Sequence, residues 1–326
     1  MLRNLQLRYF FIIFAAQMKP NKSYLRLLNL LLVLIAYGYL AYRLFTFKDY
    51  STFIATFETA SNWLCIIAIL LLMPINVLLE ACKWRMLLRN IEPMSLWGAQ
   101  RQVYYGFVGA FITPYHAGDY PTRAILLKDK SNWSAAVGLG LVGSVALMIV
   151  ELMFGIPATW LFMNYEQSIP SQYFALAFVV IILLLSFLPH LVRYLSQHEW
   201  KNKQMSQLSV ALSHVSYTVF MKSIGWSMLR YAIWGLQLAL ALHFCGVNMT
   251  ALEYLISIPF YYMVVSFFPS LPALNVAIRG SWLLFIFTPF TLNTAGITLA
   301  IILIWLINTV LPMIIGSILF KKGKTK

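Results

Sequence analysis

The chain has 326 residues, 61% of them apolar and only 10% charged, where a soluble domain carries about 25% charged residues. That composition excludes an ordinary soluble globular protein and, at ~20 residues per span, leaves room for about eight helical crossings. The net charge of +14 is not a nucleic-acid footprint, because the cations flank apolar spans instead of forming one solvated patch; topology and contact with anionic lipid account for them.

Residues 1–24 read as a cytoplasmic or interfacial segment. Arg3 and Arg8 precede Tyr9 to Ala16, a run too short to span, which suits an interfacial helix or an upstream start with Met18 as the true beginning. A single transmembrane domain follows over residues 25–320. Its first span is Leu25 to Phe45 and its second Trp63 to Ala81, ending in Cys82-Lys83-Trp84-Arg85. Near that end Asn76, Glu80 and Lys83 share one helical face, and a snorkelling interfacial pair is the plain reading of Glu80 with Lys83.

Tyr104 to Arg123 does not read as a span. About ten apolar residues lead to Pro114, Gly118 and Pro121, a length that suits a re-entrant half-helix with irregular backbone after it. Asp119 and Arg123, four apart, can pair if that piece is helical. Span three is Ser134 to Phe162, and Glu151 lies roughly 25 Å along it at the helical rise, in the outer half of the membrane. Span four is Phe174 to Leu191. Gln207 to Val219 places Leu208, Leu212, Val215 and Val219 on one face, as in an interfacial helix. Span five is Trp226 to Val247.

Tyr261 to Gly280 is a second broken segment. Like the first it opens Tyr-Tyr, reaches a proline and ends at an arginine, with Tyr and Arg 18 positions apart here and 19 there. Pro272 and Arg279 are its notable residues. The last span is Ala295 to Phe320, followed by the basic tail 321–326. The expected class is therefore an all-α polytopic membrane bundle of six full spans and two broken or re-entrant hairpins.

Cation placement orients it. Counted by loop, 21 of the 24 Lys and Arg residues fall on one side and only Arg43, Lys48 and Arg279 on the other, so both termini are expected in the cytoplasm of a cell membrane. The two broken segments then open to opposite sides, as in an inverted-repeat transporter. Glu151 and Arg279 would face one outer cavity and offset each other's charge.

Catalytic signatures are missing: no P-loop, no His-Glu-x-x-His, no Gly-x-Ser-x-Gly. His116 and Asp119 are too few for a metal, and Cys65, Cys82 and Cys245 fit packing positions, not a disulfide framework. No enzyme activity, cofactor or metal is expected.

Asn76…Glu80-Ala81-Cys82-Lys83-Trp84-Arg85, with Pro114-Tyr115-His116-Ala117-Gly118-Asp119…Arg123, resembles the flippase-like membrane region of lysylphosphatidylglycerol synthases. The resemblance is to stand-alone members without the soluble aminoacyltransferase domain, and covers roughly residues 25–320. It implies translocation of a lipid or lipid-linked molecule, with Asn76, Glu80, Trp84 and Arg85 supporting the site. The chain departs from the family in its second element, where Gly280 stands for a glutamate and alanine or asparagine for a glycine. An acidic-basic cluster expected in span three is replaced by the uncharged run Gly138 to Ser144. Arg123 and Arg279 would each hold an anionic head group at one leaflet, since arginine binds phosphate bidentately. The partners expected are membrane lipids, with no nucleic acid, and further copies of the chain or another membrane protein. The competing expectations are a non-transporting membrane subunit or scaffold and an embedded enzyme acting on a lipid-linked substrate.

Overall fold

The structure, a computed structural model, describes residues 60–113, 116–165, 206, 209, 215–267 and 272–323; spans one and four lie outside them. The first helix, α1 (Ala60–Leu87), runs unbroken through Pro74 for 28 residues. Leu64, Ile67, Leu71 and Ile75 are exposed along one side, while Ile69, Met73, Asn76, Glu80 and Lys83 are buried along the other. Large apolar side chains outside and charges inside are what hydrocarbon as the surrounding solvent selects.

Next comes α2 (Leu96–Ile112), started by Ser95, whose hydroxyl accepts the Gly98 N–H at 3.1 Å. The short α3 (Asp119–Ala124) and a 3₁₀ turn (Lys130–Asn132) lead into α4 (Trp133–Tyr165), 33 residues long. In the turn, Asp129 is held below the usual carboxylate range by hydrogen bonds from Ser131.

After the undescribed stretch, α5 (Tyr217–Phe244) begins on the cap Ser216. Span five therefore starts nine residues before the expected Trp226, and Tyr217 to Val219 belong to it and not to an interfacial helix. Most of Gln207 to Val215 lies outside the described residues. Next is α6 (Ala251–Phe267), opened by a capping box in which Glu253 accepts the Thr250 N–H at 2.7 Å. Then α7 (Pro272–Phe287) has proline at its first position. Finally α8 (Thr294–Trp305), a π-helical turn (Leu306–Val310) and α9 (Leu311–Gly323) run on as one rod.

Among the described residues, three stretches are long and apolar enough to cross a membrane: Trp63–Leu87, Lys130–Met163 and Thr294–Leu319. The fourth long helix, α5, matches α1 in length but carries Lys222, Arg230 and Gln237. The two half-helices are longer than their apolar cores suggested: α2 and α6 have 17 residues each, because their caps lie upstream of the tyrosine pairs.

Packing exchanges the two halves of the chain. Helix α1 lies along α5, α2 lies on α9, and α6 lies on α4. Within the α1–α5 seam, Gln237 and Asn308 exchange amide hydrogen bonds of 3.2 and 2.9 Å, and Gln237 also donates to the Ile69 carbonyl at 3.0 Å. The wide π turn is where Asn308 sits. Such interhelical bonds contribute about 0.6 kcal/mol each in a bilayer, so this contact sets register more than stability.

Candidate functional site: a buried charge cluster and a second buried carboxylate

Helix α1 turns Asn76, Glu80, Lys83 and Trp84 inward at spacings of four, three and one. Each carboxylate oxygen of Glu80 is taken. Oε1 accepts from Arg123 Nη1 at 2.8 Å, and Oε2 from Arg230 Nη1 at 2.5 Å and Lys83 Nζ at 3.0 Å. Glu80 is 1% exposed, so it is the centre of a buried network and not a snorkelling surface pair. The helix continuing to Leu87 is the reason: it carries Lys83 and Trp84 into the bundle and leaves Arg85, on the opposite side, exposed and outside the cluster.

Arg123 grips Asp119 with a fork, Nε to Oδ1 and Nη2 to Oδ2, both at 2.7 Å. The i, i+4 pair is as expected, but Arg123 is 2% exposed and each of its three guanidinium nitrogens already donates to a carboxylate. It lies over the rings of Trp84 and Tyr120, 5.3 and 4.8 Å from their centroids. Both rings are anchored in turn, Trp84 Nε1 donating to Gln102 at 2.6 Å and the Tyr120 hydroxyl 2.7 Å from Ser144 Oγ. Arg123 does not offer donors outward for a head group here.

Arg230, on α5, donates through Nε to Asn76 Oδ1 at 2.7 Å and stacks on Trp234 at 4.7 Å. Lys83 Nζ reaches the Gly143 carbonyl and Ser227 Oγ, each at 3.3 Å. Three cations thus face two carboxylates, leaving one excess positive charge in a buried setting. Such a group holds together only when its hydrogen bonds are complete.

The break between α2 and α3 builds this geometry. Thr113 is extended, His116 has φ 55°, and Gly118 donates its N–H to Thr113 Oγ1 at 2.8 Å. Pro114 lies outside the described residues. Close approach needs small residues: a Cβ on Gly106 would stand 2.1 Å from Asp119 Oδ1 and 2.8 Å from Arg123 Nε. One on Gly140 would stand 2.3 Å from the Tyr120 ring. The uncharged run Gly138 to Ser144 is therefore the seat of α3 on α4. Gly106→Ala is expected to cost about 1–3 kcal/mol by forcing the fork apart, read as a lower melting temperature of the purified protein. Unchanged melting would show that the α2–α3 contact gives way freely.

A second centre lies on α4, α6 and α7. Glu151 is 7% exposed, and its Oε2 lies 2.6 Å from Ser266 Oγ. It makes no ion pair with Arg279; Arg279, Arg230 and Lys83 act on it only through space. The expected offsetting of charge thus acts across space, while Ser266 holds Oε2. Arg279, half-buried, keeps a buried Nε without a hydrogen bond. Its charge also acts on His116, Tyr261 and Tyr262. Pro272 opens α7, and residues 268–271 between α6 and α7 lie outside the described residues.

Arg230, Gln102 and Tyr120 were not singled out by the sequence reading. Arg230 had a signal, since a cation inside an apolar helix asks for a partner and Trp234 follows one turn later.

No curated protein matches the chain. The model of the lysylphosphatidylglycerol synthase TM region matches residues 27–316. That match runs through both breaks and every residue of the two charged centres, so the chain belongs to the lysylphosphatidylglycerol synthase TM region family.

Proposed function

We propose that the protein translocates a lipid or lipid-linked molecule with an anionic head group between membrane leaflets, without catalysing a chemical change in it. The observation that carries this reading is the contrast between the two arginines at the two breaks. Arg123 is closed onto its own acids, whereas Arg279 keeps a buried donor without a partner. One engaged and one open half-site is what a single state of an alternating-access protein should display. Under this reading the head group's phosphate takes Arg279 first, and Arg123 is released from Asp119 when the other half-site opens.

An inverted repeat accounts for the architecture. Helices α1 and α5 have 28 residues each and pack on each other; α2 and α6 have 17 each, and each packs on the last long helix of the other half. The cation bias supports a cell-membrane protein with both termini in the cytoplasm, even after Lys83, Arg123 and Arg230 are set aside as structural. Lipids are the proposed partners, nucleic acid is not, and self-association or a partner membrane protein fits the same frame.

Purified protein in vesicles carrying fluorescent phosphatidylglycerol or phosphatidylcholine tests the reading. Exchange of the anionic lipid above empty vesicles is expected; no exchange for any lipid class would overturn it. The full occupation of Arg123 favours one other reading, a non-transporting subunit for which the Glu80 cluster is purely a structural core. A new lipid species on mass spectrometry would instead indicate an enzyme.

A further inference from the structure

The two buried glutamates are held in opposite ways. Glu80 has three cations in contact, which fixes it as an anion. Glu151, 7% exposed in the middle of α4, has one neutral partner. That partner, Ser266 Oγ, is 2.6 Å from Glu151 Oε2 and also 2.9 Å from the Tyr262 carbonyl, one turn earlier on α6. A serine hydroxyl has a single hydrogen. Two acceptors can share it only in a weakened three-centre bond. If the hydroxyl donates to the Tyr262 carbonyl, the short contact to Glu151 is a hydrogen bond only when Glu151 carries a proton and donates it to Ser266. If Glu151 is ionised, Ser266 must turn to it and the carbonyl loses its side-chain donor. Both contacts are full two-centre hydrogen bonds only in the protonated state.

We propose that Glu151 is a proton-carrying carboxyl whose ionised form engages Arg279, so that proton release and uptake alternately occupy and free that arginine. The surroundings suit this. From α7 comes Arg279, with its buried Nε unpartnered. From α6 come Tyr262 and Ser266, and from α5 Tyr231, whose buried hydroxyl has no partner, with Arg230 further off. Lys83 acts from α1. Among the described residues no cation touches the carboxyl, yet three stand close enough to act on it, Arg279 most strongly.

The step balances simply. Glu151 loses its proton to water, the Ser266 hydrogen swings from the Tyr262 carbonyl to the new carboxylate, and the carboxylate pairs with the Arg279 guanidinium. Uptake reverses each move. The idea deepens the translocase reading, on which its use depends: a cargo phosphate and the Glu151 carboxylate would compete for Arg279, coupling cargo binding to a proton.

Infrared titration of the whole protein in vesicles tests the proton site without any cargo. The C=O stretch of a protonated carboxyl, assigned by its loss in Glu151→Gln, is expected near neutral pH and should vanish on raising the pH. In Arg279→Gln the band should persist about one pH unit or more higher, because the opposing cation is gone. Absence of an assignable band throughout the range in which the protein stays folded would overturn the proposal. So would a band with the same pH dependence in Arg279→Gln. Monodisperse elution of both variants keeps the comparison meaningful. In the vesicle assay, anionic-lipid exchange should vary with pH in the wild type and be flat in Glu151→Gln. If the band titrates as expected while no lipid moves at any pH, the translocase reading falls and the proton site stands.

Discussion

Glu80→Ala is expected to be among the most damaging single substitutions in the protein. The carboxylate is the shared partner of Lys83, Arg123 and Arg230, and its removal leaves three buried cations facing Asp119 alone. Breaking a buried ion pair by deleting one partner costs about 3–5 kcal/mol, because the remaining charge is desolvated without compensation. Here the excess charge would rise from one to two. Arg230→Leu should be milder, since Glu80 retains two partners and the cluster becomes neutral. The ordering can be read from melting temperatures in detergent: Glu80→Ala well below wild type or failing to elute as one species, Arg230→Leu between the two. A Glu80→Ala protein that melts like wild type would show that the cluster is not a structural core.

That ordering could not have been drawn from the sequence, and the reason is physical. The local pairings were legible: Asp119 with Arg123 and Glu80 with Lys83 follow from helical spacing. The partner that makes Glu80 a hub stands 150 residues away on α5, and only the α1–α5 packing brings it there. The cation count had placed Lys83, Arg123 and Arg230 among the loop charges, although all three lie inside helices and serve structure. Positive-inside bias and buried pairing draw on the same residue types, and position along the chain does not separate them.

Element type was easier than element limits. The apolar pattern marked every described long helix and the break after α2, yet it misplaced the starts of α2, α5 and α6 by eight to ten residues. The limits follow from Ser95, Ser216 and the Thr250–Glu253 box, which satisfy backbone N–H groups at helix starts. These polar residues carry no hydropathy signal. In the same way Gly138 to Ser144 looked like a stretch that had lost its charges. Its function is steric: it lets Tyr120 and Lys83 approach the α4 backbone.

The two arginines at the breaks should respond to the same substitution in opposite ways. Arg123→Gln removes five donors from the buried core and leaves the Asp119 fork and Glu80 Oε1 without their cation. About 3 kcal/mol or more of stability should go with it, so lost lipid exchange would merely follow lost structure. Arg279→Gln removes a cation with no ion pair among the described residues and an unpartnered buried Nε. Its melting temperature should stay near wild type, or rise, since an unsatisfied buried donor disappears. Its exchange of anionic lipid should nonetheless fall by about tenfold or more, the loss of one charged hydrogen-bonded contact worth ~1.5–3 kcal/mol. Phosphatidylglycerol exchange and thermal melting measured on the same preparations decide the matter. Arg279→Gln that folds and still exchanges anionic lipid at the wild-type rate would remove Arg279 from the transport path. A protein in which both variants simply unfold together would point back to a scaffold held by one continuous charged core. The separation of stability from exchange at Arg279, and their coincidence at Arg123, is the pattern that a closed and an open half-site require.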